Sequence, residues 1–179
     1  STTIKMLSGQ LIPSSGVAMI DGVNTKLEPN IARSKLGYVP EHPELYGYLT
    51  GREMLQFVHE IRGGDLEWAL SLTGLESDAN RQIREYSQGM RRKTAIACAL
   101  ISRPPVIILD ESLNGLDPRS VDRVLGALNE MRQDGSVILL STHVFDTLEK
   151  IASRVLMIQD GRLVADDGID ALSELKDRF

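Results

Sequence analysis

The chain has 179 residues, is 42% hydrophobic and 25% charged, and carries a formal net charge of −5. That length suits one sizeable core, and the acidic balance argues against a general nucleic-acid binder, which is usually basic. A single cysteine, Cys98, excludes an internal disulfide framework, and the longest apolar runs fall far short of the ~20 residues of a membrane span. With no charged-then-apolar leader in view, the expectation is a soluble, cytoplasmic chain.

Ser1, Thr2 and Thr3 suit the first turn of a helix, because hydroxyl oxygens accept the unpaired N–H groups there. Ile4, Leu7 and Leu11 would form its apolar side, and Pro13 with the SSG at 14–16 would end it. GVAMIDG at 16–22 predicts a short strand ending in an Asp-Gly turn, and KLGYVPE at 35–41 predicts another, stopped at Pro40. Residues 50–102 read as almost entirely helical. Thr50 and Glu53 have capping-box spacing, followed by an apolar stripe of Met54, Leu55, Phe57, Val58 and Ile61. GG at 63–64 breaks that helix. Leu66, Ala69, Leu70 and Leu72 mark a second helix, and a third runs from YSQGM to Ile101.

Beyond the Pro pair at 104–105, VIILD at 106–110 is an unalternating apolar run, as in a strand buried on both faces of a parallel sheet. Asp117 then caps a helix with Pro118 at its first position and a stripe of Val121, Leu125, Leu128 and Met131. SVILLSTH at 136–143 predicts a further buried strand. RVLMIQDGRLVAD at 154–166 predicts a hairpin turning at Asp160-Gly161. Strands alternating with helices imply an α/β layered fold.

Three stretches carry candidate chemistry. Asp110 and Glu111 stand at the carboxyl end of a buried strand, where open parallel sheets bind ligands. A carboxylate there can hold Mg²⁺ and its neighbour can deprotonate a water, although strand-terminal acids also serve merely to end a strand. In YSQGMRRK, Ser87 can cap a helix whose N-terminus attracts anions beside Arg91, Arg92 and Lys93; the alternative is an ordinary capped helix with a solvated basic face. His143 ends another strand and is either a phosphate contact or a structural histidine.

Their order is more telling than any one of them. YSQGM, VIILDE, SLNGLDP and STH resemble the signature motif, Walker B, D-loop and switch histidine of the ATP-binding-cassette ATPases, in that order. LGYVPEHPELYGYLTGREML at 36–55 resembles their Q-loop and the start of their helical subdomain. The similarity runs essentially end to end. It implies an α/β fold, a P-loop NTPase-like, largely parallel sheet core with an inserted α-helical subdomain. Residues 1–43 and 103–179 would be core and 44–102 the insertion. STT matches the tail of the Walker A motif, G-x-x-x-x-G-K-[ST], ending at Ser1. No GK[ST] occurs in the chain, so the resemblance implies a cassette lacking its N-terminal strands, phosphate loop and lysine.

The resemblance also implies roles in binding ATP and Mg²⁺. Ser1 would ligate the metal, Thr2 would bond a phosphate, and Glu41 would be a carboxylate metal ligand in place of the usual glutamine. Asp110 would hold the metal's hydration shell, Glu111 would be the general base, and His143 would contact the γ-phosphate. Ser87, Gln88 and Gly89 would act on nucleotide held by a second cassette, with Asp117 across that interface. YSQGM departs from the usual LSGGQ, with Met90 replacing a glutamine, and SL at 112–113 replaces a usual Pro-Thr. The PEHP segment resembles the exporter-type branch. The implied function is the ATP-hydrolysing subunit of a transporter, dimeric, docked on a transmembrane permease subunit at the inner face of the membrane. A soluble cassette ATPase acting on ribosomes or DNA is disfavoured by the lack of a basic extension or coiled-coil insertion within 50–102. An inert fragment or interaction module is the other alternative. Losing the phosphate loop removes several charge-assisted hydrogen bonds of about 1.5–3 kcal/mol each, so residues 1–179 alone are expected to turn over negligible ATP.

Overall fold

The computed structural model of the chain describes residues 1–173, with the side chains of all but 145–147. It divides into two compact units, Ser1–Ser141 and Thr142–Phe179.

The first unit opens with helix α1 (Thr2–Leu7), shorter than its apolar spacing predicts. Ile4 is buried, but Leu11 is 44% exposed, because the chain leaves the helix at Ser8 and Gly9 turns through φ +71. The Ser1 side chain makes no capping hydrogen bond. Strands β1 (Met19–Ile20) and β2 (Val23–Asn24) pair antiparallel across Asp21-Gly22. Both turn residues have positive φ, 45 and 75, which suits the twist of a tight hairpin. Helix α2 (Pro29–Ser34) starts on its proline and leads into β3 (Leu36–Val39), which stops before Pro40.

Helix α3 (Gly51–Arg62) has the capping box that its sequence predicts. Thr50 Oγ1 accepts the Glu53 N–H at 3.2 Å, and Glu53 Oε2 accepts the Thr50 N–H at 2.8 Å. Its buried stripe is narrower than expected: Met54 and Leu55 are buried, whereas Phe57 and Ile61 are exposed. Helices α4 (Leu66–Thr73) and α5 (Gln88–Leu100) follow, but residues 74–87 between them form only two short 3₁₀ turns, Glu76–Asp78 and Ile83–Glu85. This correction to the predicted helical run has a packing cause. Leu75, Ile83 and Tyr86 turn inward to build an apolar cluster with Met54, and Tyr86 Oη donates to the Asp78 carbonyl at 2.8 Å.

Strands β4 (Val106–Asp110) and β5 (Val137–Ser141) complete a parallel sheet in the order β3-β4-β5. Central β4 is buried as predicted, with Ile107, Ile108 and Leu109 all at or below 1% exposure. Each such side chain stabilises the fold by about 1.5–3 kcal/mol. Ile108 packs with Ile4, Ile20, Ala32 and Leu36, so α1 and α2 share a cluster with the sheet. Helix α5 lies close against β3. A Cβ on Gly37 would sit 2.5 Å from the Ala99 carbonyl oxygen, so only glycine permits that approach. Helix α6 (Pro118–Gln133) is capped by Asp117 as predicted, but buries Val124, Leu125, Leu128 and Met131 rather than Val121. Strand β5 is not the buried strand its composition predicts. Among the described residues it pairs only with β4, Val137 is 65% exposed, and the other four residues are half-buried.

The second unit contains α7 (Phe145–Ile151) and the hairpin of β6 (Arg154–Gln159) and β7 (Arg162–Gly168). The hairpin turns at Asp160-Gly161, with φ 48 and 74, as the sequence predicts. Val155 and Leu172 form its core with Leu148, Met157, Ala165 and Ile169. No helix among the described residues is long and apolar enough to cross a membrane.

Candidate functional site

The carboxyl ends of β4 and β5 meet at Asp110 and Ser141, which are direct partners in the sheet register. Asp110 is 3% exposed, and its Oδ1 accepts a hydrogen bond from Ser141 Oγ at 2.5 Å. The same hydroxyl accepts the Glu111 N–H at 3.1 Å, and the Ser141 carbonyl accepts that N–H at 3.1 Å as well. One serine therefore anchors both acidic residues. Glu111 itself adopts φ +51, a left-handed conformation that costs an L residue roughly 1–2 kcal/mol. Strain of this kind persists only where the surroundings enforce it, and here the Ser141 bonds and the turn that follows do so.

That turn is tightly held. Ser112 is fully buried and donates to the Val39 carbonyl at 2.9 Å and the Asp110 carbonyl at 3.1 Å, tying β4 to the end of β3. Asn114 Nδ2 donates to Glu111 Oε2, and Gly115 turns at φ +74. Burial, reinforced by the negative charge of Asp110, pushes the Tyr38 hydroxyl above its ordinary range. The half-buried Cys98 lines a cavity of about 390 Å³ with Tyr38, and burial pushes its thiol up to about 12.

Beside this turn lies the start of α5. Ser87 Oγ accepts the Met90 N–H at 3.2 Å, which is the predicted cap, and Ser87 and Gln88 are exposed. Gly89 is half-buried; a Cβ on it would lie 3.8 Å from the Gly115 carbonyl oxygen, so the helix start and the turn are neighbours. Asp117 Oδ1 accepts the Ser120 N–H at 3.0 Å and Oδ2 accepts Ser120 Oγ at 2.6 Å. These bonds, the side-chain one foremost, hold its carboxyl below the usual range. Its Oδ2 also lies 3.9 Å from Lys93 Nζ.

The structure thus ties Asp110 and Glu111 to one hydroxyl and sets Gly89, at the start of α5 after Ser87 and Gln88, beside the turn that ends at Asp117. The Glu41 side chain is about half exposed, 3.8 Å from His42 Nε2, and its carbonyl is held from α5 by Arg92. Ser1 and Thr2 are exposed at the start of α1, and His143 is exposed in the second unit. Sequence reading missed Ser141, Ser112 and Asn114, and it placed Arg92 among the basic residues beside the helix start, where the structure buries it. Only Ser141 had a usable signal, as the polar residue that ends an apolar strand.

A family model described as "ABC transporter" matches residues 1–114. The bacitracin transport ATP-binding protein BcrA of Enterococcus faecalis is 32% identical over 184 residues, covering 100% of this chain and 60% of the relative. A putative ABC transporter ATP-binding protein of Pyrococcus horikoshii, PH0132, is 34% identical and covers 91% of this chain and 66% of its own length. The chain therefore spans about 60% of BcrA and 66% of PH0132. Among solved structures, an ATP-binding subunit of an ABC transporter superposes with a TM-score of 0.88 at 32% identity, over 98% of this chain and 76% of that one. The cassette MJ0796, solved as a post-hydrolysis dimer with ADP and Pi, shares the fold with a TM-score of 0.84 at 23% identity, over 94% of this chain and 79% of that one. With the family model spanning well over half of its residues, the chain belongs to the ABC transporter family.

Proposed function

We propose that this chain forms part of the ATP-hydrolysing subunit of an ABC transporter, in which two cassettes close on MgATP and drive a transmembrane permease. The supporting observation is the junction of Asp110, Ser141 and Glu111, where one hydroxyl fixes a buried carboxylate and a strained neighbour at the ligand-binding edge of a parallel sheet. Such a pair divides the work. The buried, hydrogen-bonded Asp110 serves charge neutralisation, and the less buried Glu111 is placed to orient a water and take its proton. The donor set suits Mg²⁺, which is typically held by one or two carboxylates together with substrate phosphates and waters. Asp110, Glu41 and the Ser1 hydroxyl would supply oxygens, and no cluster of three or more His, Cys, Asp or Glu is preassembled among the described residues. When bound, the metal neutralises phosphate charge. Ser87, Gln88, Gly89 and Asp117 would face the second cassette, and His143 the γ-phosphate. Residues 44–102 would act as the helical subdomain, a role supported by their own apolar cluster. The permease would hold the subunit at the cytoplasmic face of the membrane.

The test is Glu111→Gln in the full-length protein. The variant should retain ATP and accumulate as a nucleotide-bound dimer, with turnover at least about 100-fold below wild type. Wild-type turnover would remove Glu111 from the role of base. Residues 1–179 alone, which contain no GK[ST], should show no turnover above an equally purified Glu111→Gln control.

A further inference from the structure

Arg92, in α5, is 8% exposed and reaches away from the helix toward two loops. Its Nη1 donates to the Asn114 carbonyl, and its Nη2 donates to the Glu41 carbonyl at 3.1 Å. Its Nε is buried with no hydrogen-bond partner among the described residues. A guanidinium held inside by two carbonyls, with one donor unmet, is a costly way to fill space, since an apolar side chain of similar volume avoids the desolvation. What the planar fork supplies is a fixed span between two acceptors. Those acceptors lie in the loop after β3 and the turn after β4.

The second acceptor leads to Glu111. Asn114 offers its carbonyl to Arg92 and its side-chain amide to Glu111 Oε2, so fixing its backbone also fixes the group that aims the glutamate. Gly115 fits the same arrangement: it turns at φ +74, and a Cβ there would touch Arg92 Nη1 at 3.4 Å. Lys93, the next residue of α5, faces Asp117 at the far end of the turn. Adjacent cations of one helix thus face both ends of the segment from Asn114 to Asp117, Arg92 by a hydrogen bond and Lys93 by charge at 3.9 Å.

We propose that Arg92 is a positioning residue for hydrolysis. Acting through Asn114, it sets the direction of the Glu111 carboxylate and ties that direction to the loop bearing Glu41. The inference rests on Glu111 being the base. A helix that moved on closure of two cassettes would then move both metal-side and base-side loops through one guanidinium.

The experiment compares steady-state MgATP turnover of the full-length protein with Arg92→Met, Asn114→Ala, the double variant and Glu111→Gln. Arg92→Met and Asn114→Ala should each lower kcat by about 10–100-fold, the scale of a misplaced catalytic group, with KM for MgATP within about threefold of wild type. The double variant should be no worse than the more severe single one, because both break one relay. Asn114→Ala leaves the carbonyl that Arg92 uses, so wild-type kcat in that variant overturns the relay even where Arg92→Met fails to fold. Arg92→Lys then reads the guanidinium's part, with the same fall in kcat expected. Wild-type kcat in Asn114→Ala, losses that multiply in the double variant, or a raised KM at unchanged kcat would each overturn the proposal. Wild-type turnover in Glu111→Gln would instead overturn the assignment of the base on which it rests.

Discussion

Ser141→Ala removes the hydroxyl that stands between the two acidic residues. Ser141 Oγ donates to Asp110 Oδ1 at 2.5 Å and accepts the Glu111 N–H at 3.1 Å. The Glu111 N–H also reaches the Ser141 carbonyl at 3.1 Å, so it keeps an acceptor in the variant. The loss therefore falls on Asp110, which is only 3% exposed and has little access to bulk water as a replacement. A hydrogen bond to a charged group contributes about 1.5–3 kcal/mol, and an unmet buried acceptor places the expected loss in the upper half of that range. For a domain of this size the matching fall in Tm is roughly 5–10 °C. Urea unfolding followed by circular dichroism measures it, with Ser141→Thr as the control that keeps a hydroxyl and Asp110→Ala completing a double-mutant cycle. In the Asp110→Ala background the cost of Ser141→Ala should shrink by at least about 1 kcal/mol. A Ser141→Ala loss below about 0.5 kcal/mol, the range of ordinary surface substitutions, would refute the reasoning. So would a loss unchanged by removing Asp110.

Two further outcomes follow from the same structure. The Cys98 thiol, pushed up to about 12 by burial, titrates above its unfolded value, so its contribution to stability is full below about pH 8.5 and is lost as pH rises toward 12. Urea midpoints measured across that window should fall more steeply in wild type than in Cys98→Ala, and equal slopes would remove burial of the thiol as the cause. At the end of α3, Gly63→Ala should cost about 1–3 kcal/mol for its backbone alone, since φ +71 with ψ −157 is a region open essentially to glycine. Gly64→Ala should cost more in the same thermal-unfolding comparison, since its φ is +101 and its Cβ would overlap the backbone carbonyl of Ile101; equal losses would contradict that contact.

The interactions legible in the sequence are those completed within a few residues. Thr50 with Glu53, Ser87 with Met90 and Asp117 with Ser120 cap their helices from three positions away. Asp21-Gly22 and Asp160-Gly161 turn their hairpins with positive φ at both residues. The buried run at 106–110 announced a central strand, and the acids ending it marked a candidate site. Chain neighbours suffice for these, because the donor and its acceptor travel together whatever the rest of the molecule does.

Tertiary structure alone decided what depended on distant partners. Strand β5 has the composition of a buried strand, yet among the described residues it has one neighbour in the sheet and stays partly exposed. Leu11, Phe57 and Ile61 fit helical apolar faces, but α1 ends early and the packing of α3 covers only Met54 and Leu55 fully. Ser141 joined the candidate site only once parallel register set it opposite Asp110. Arg92 read as part of a solvated basic face, and became a buried strut only once two loops far away in sequence presented carbonyls to it. Periodicity reports the chemistry along one element, whereas burial of a charge and the pairing of a strand edge are set by which other elements arrive beside it.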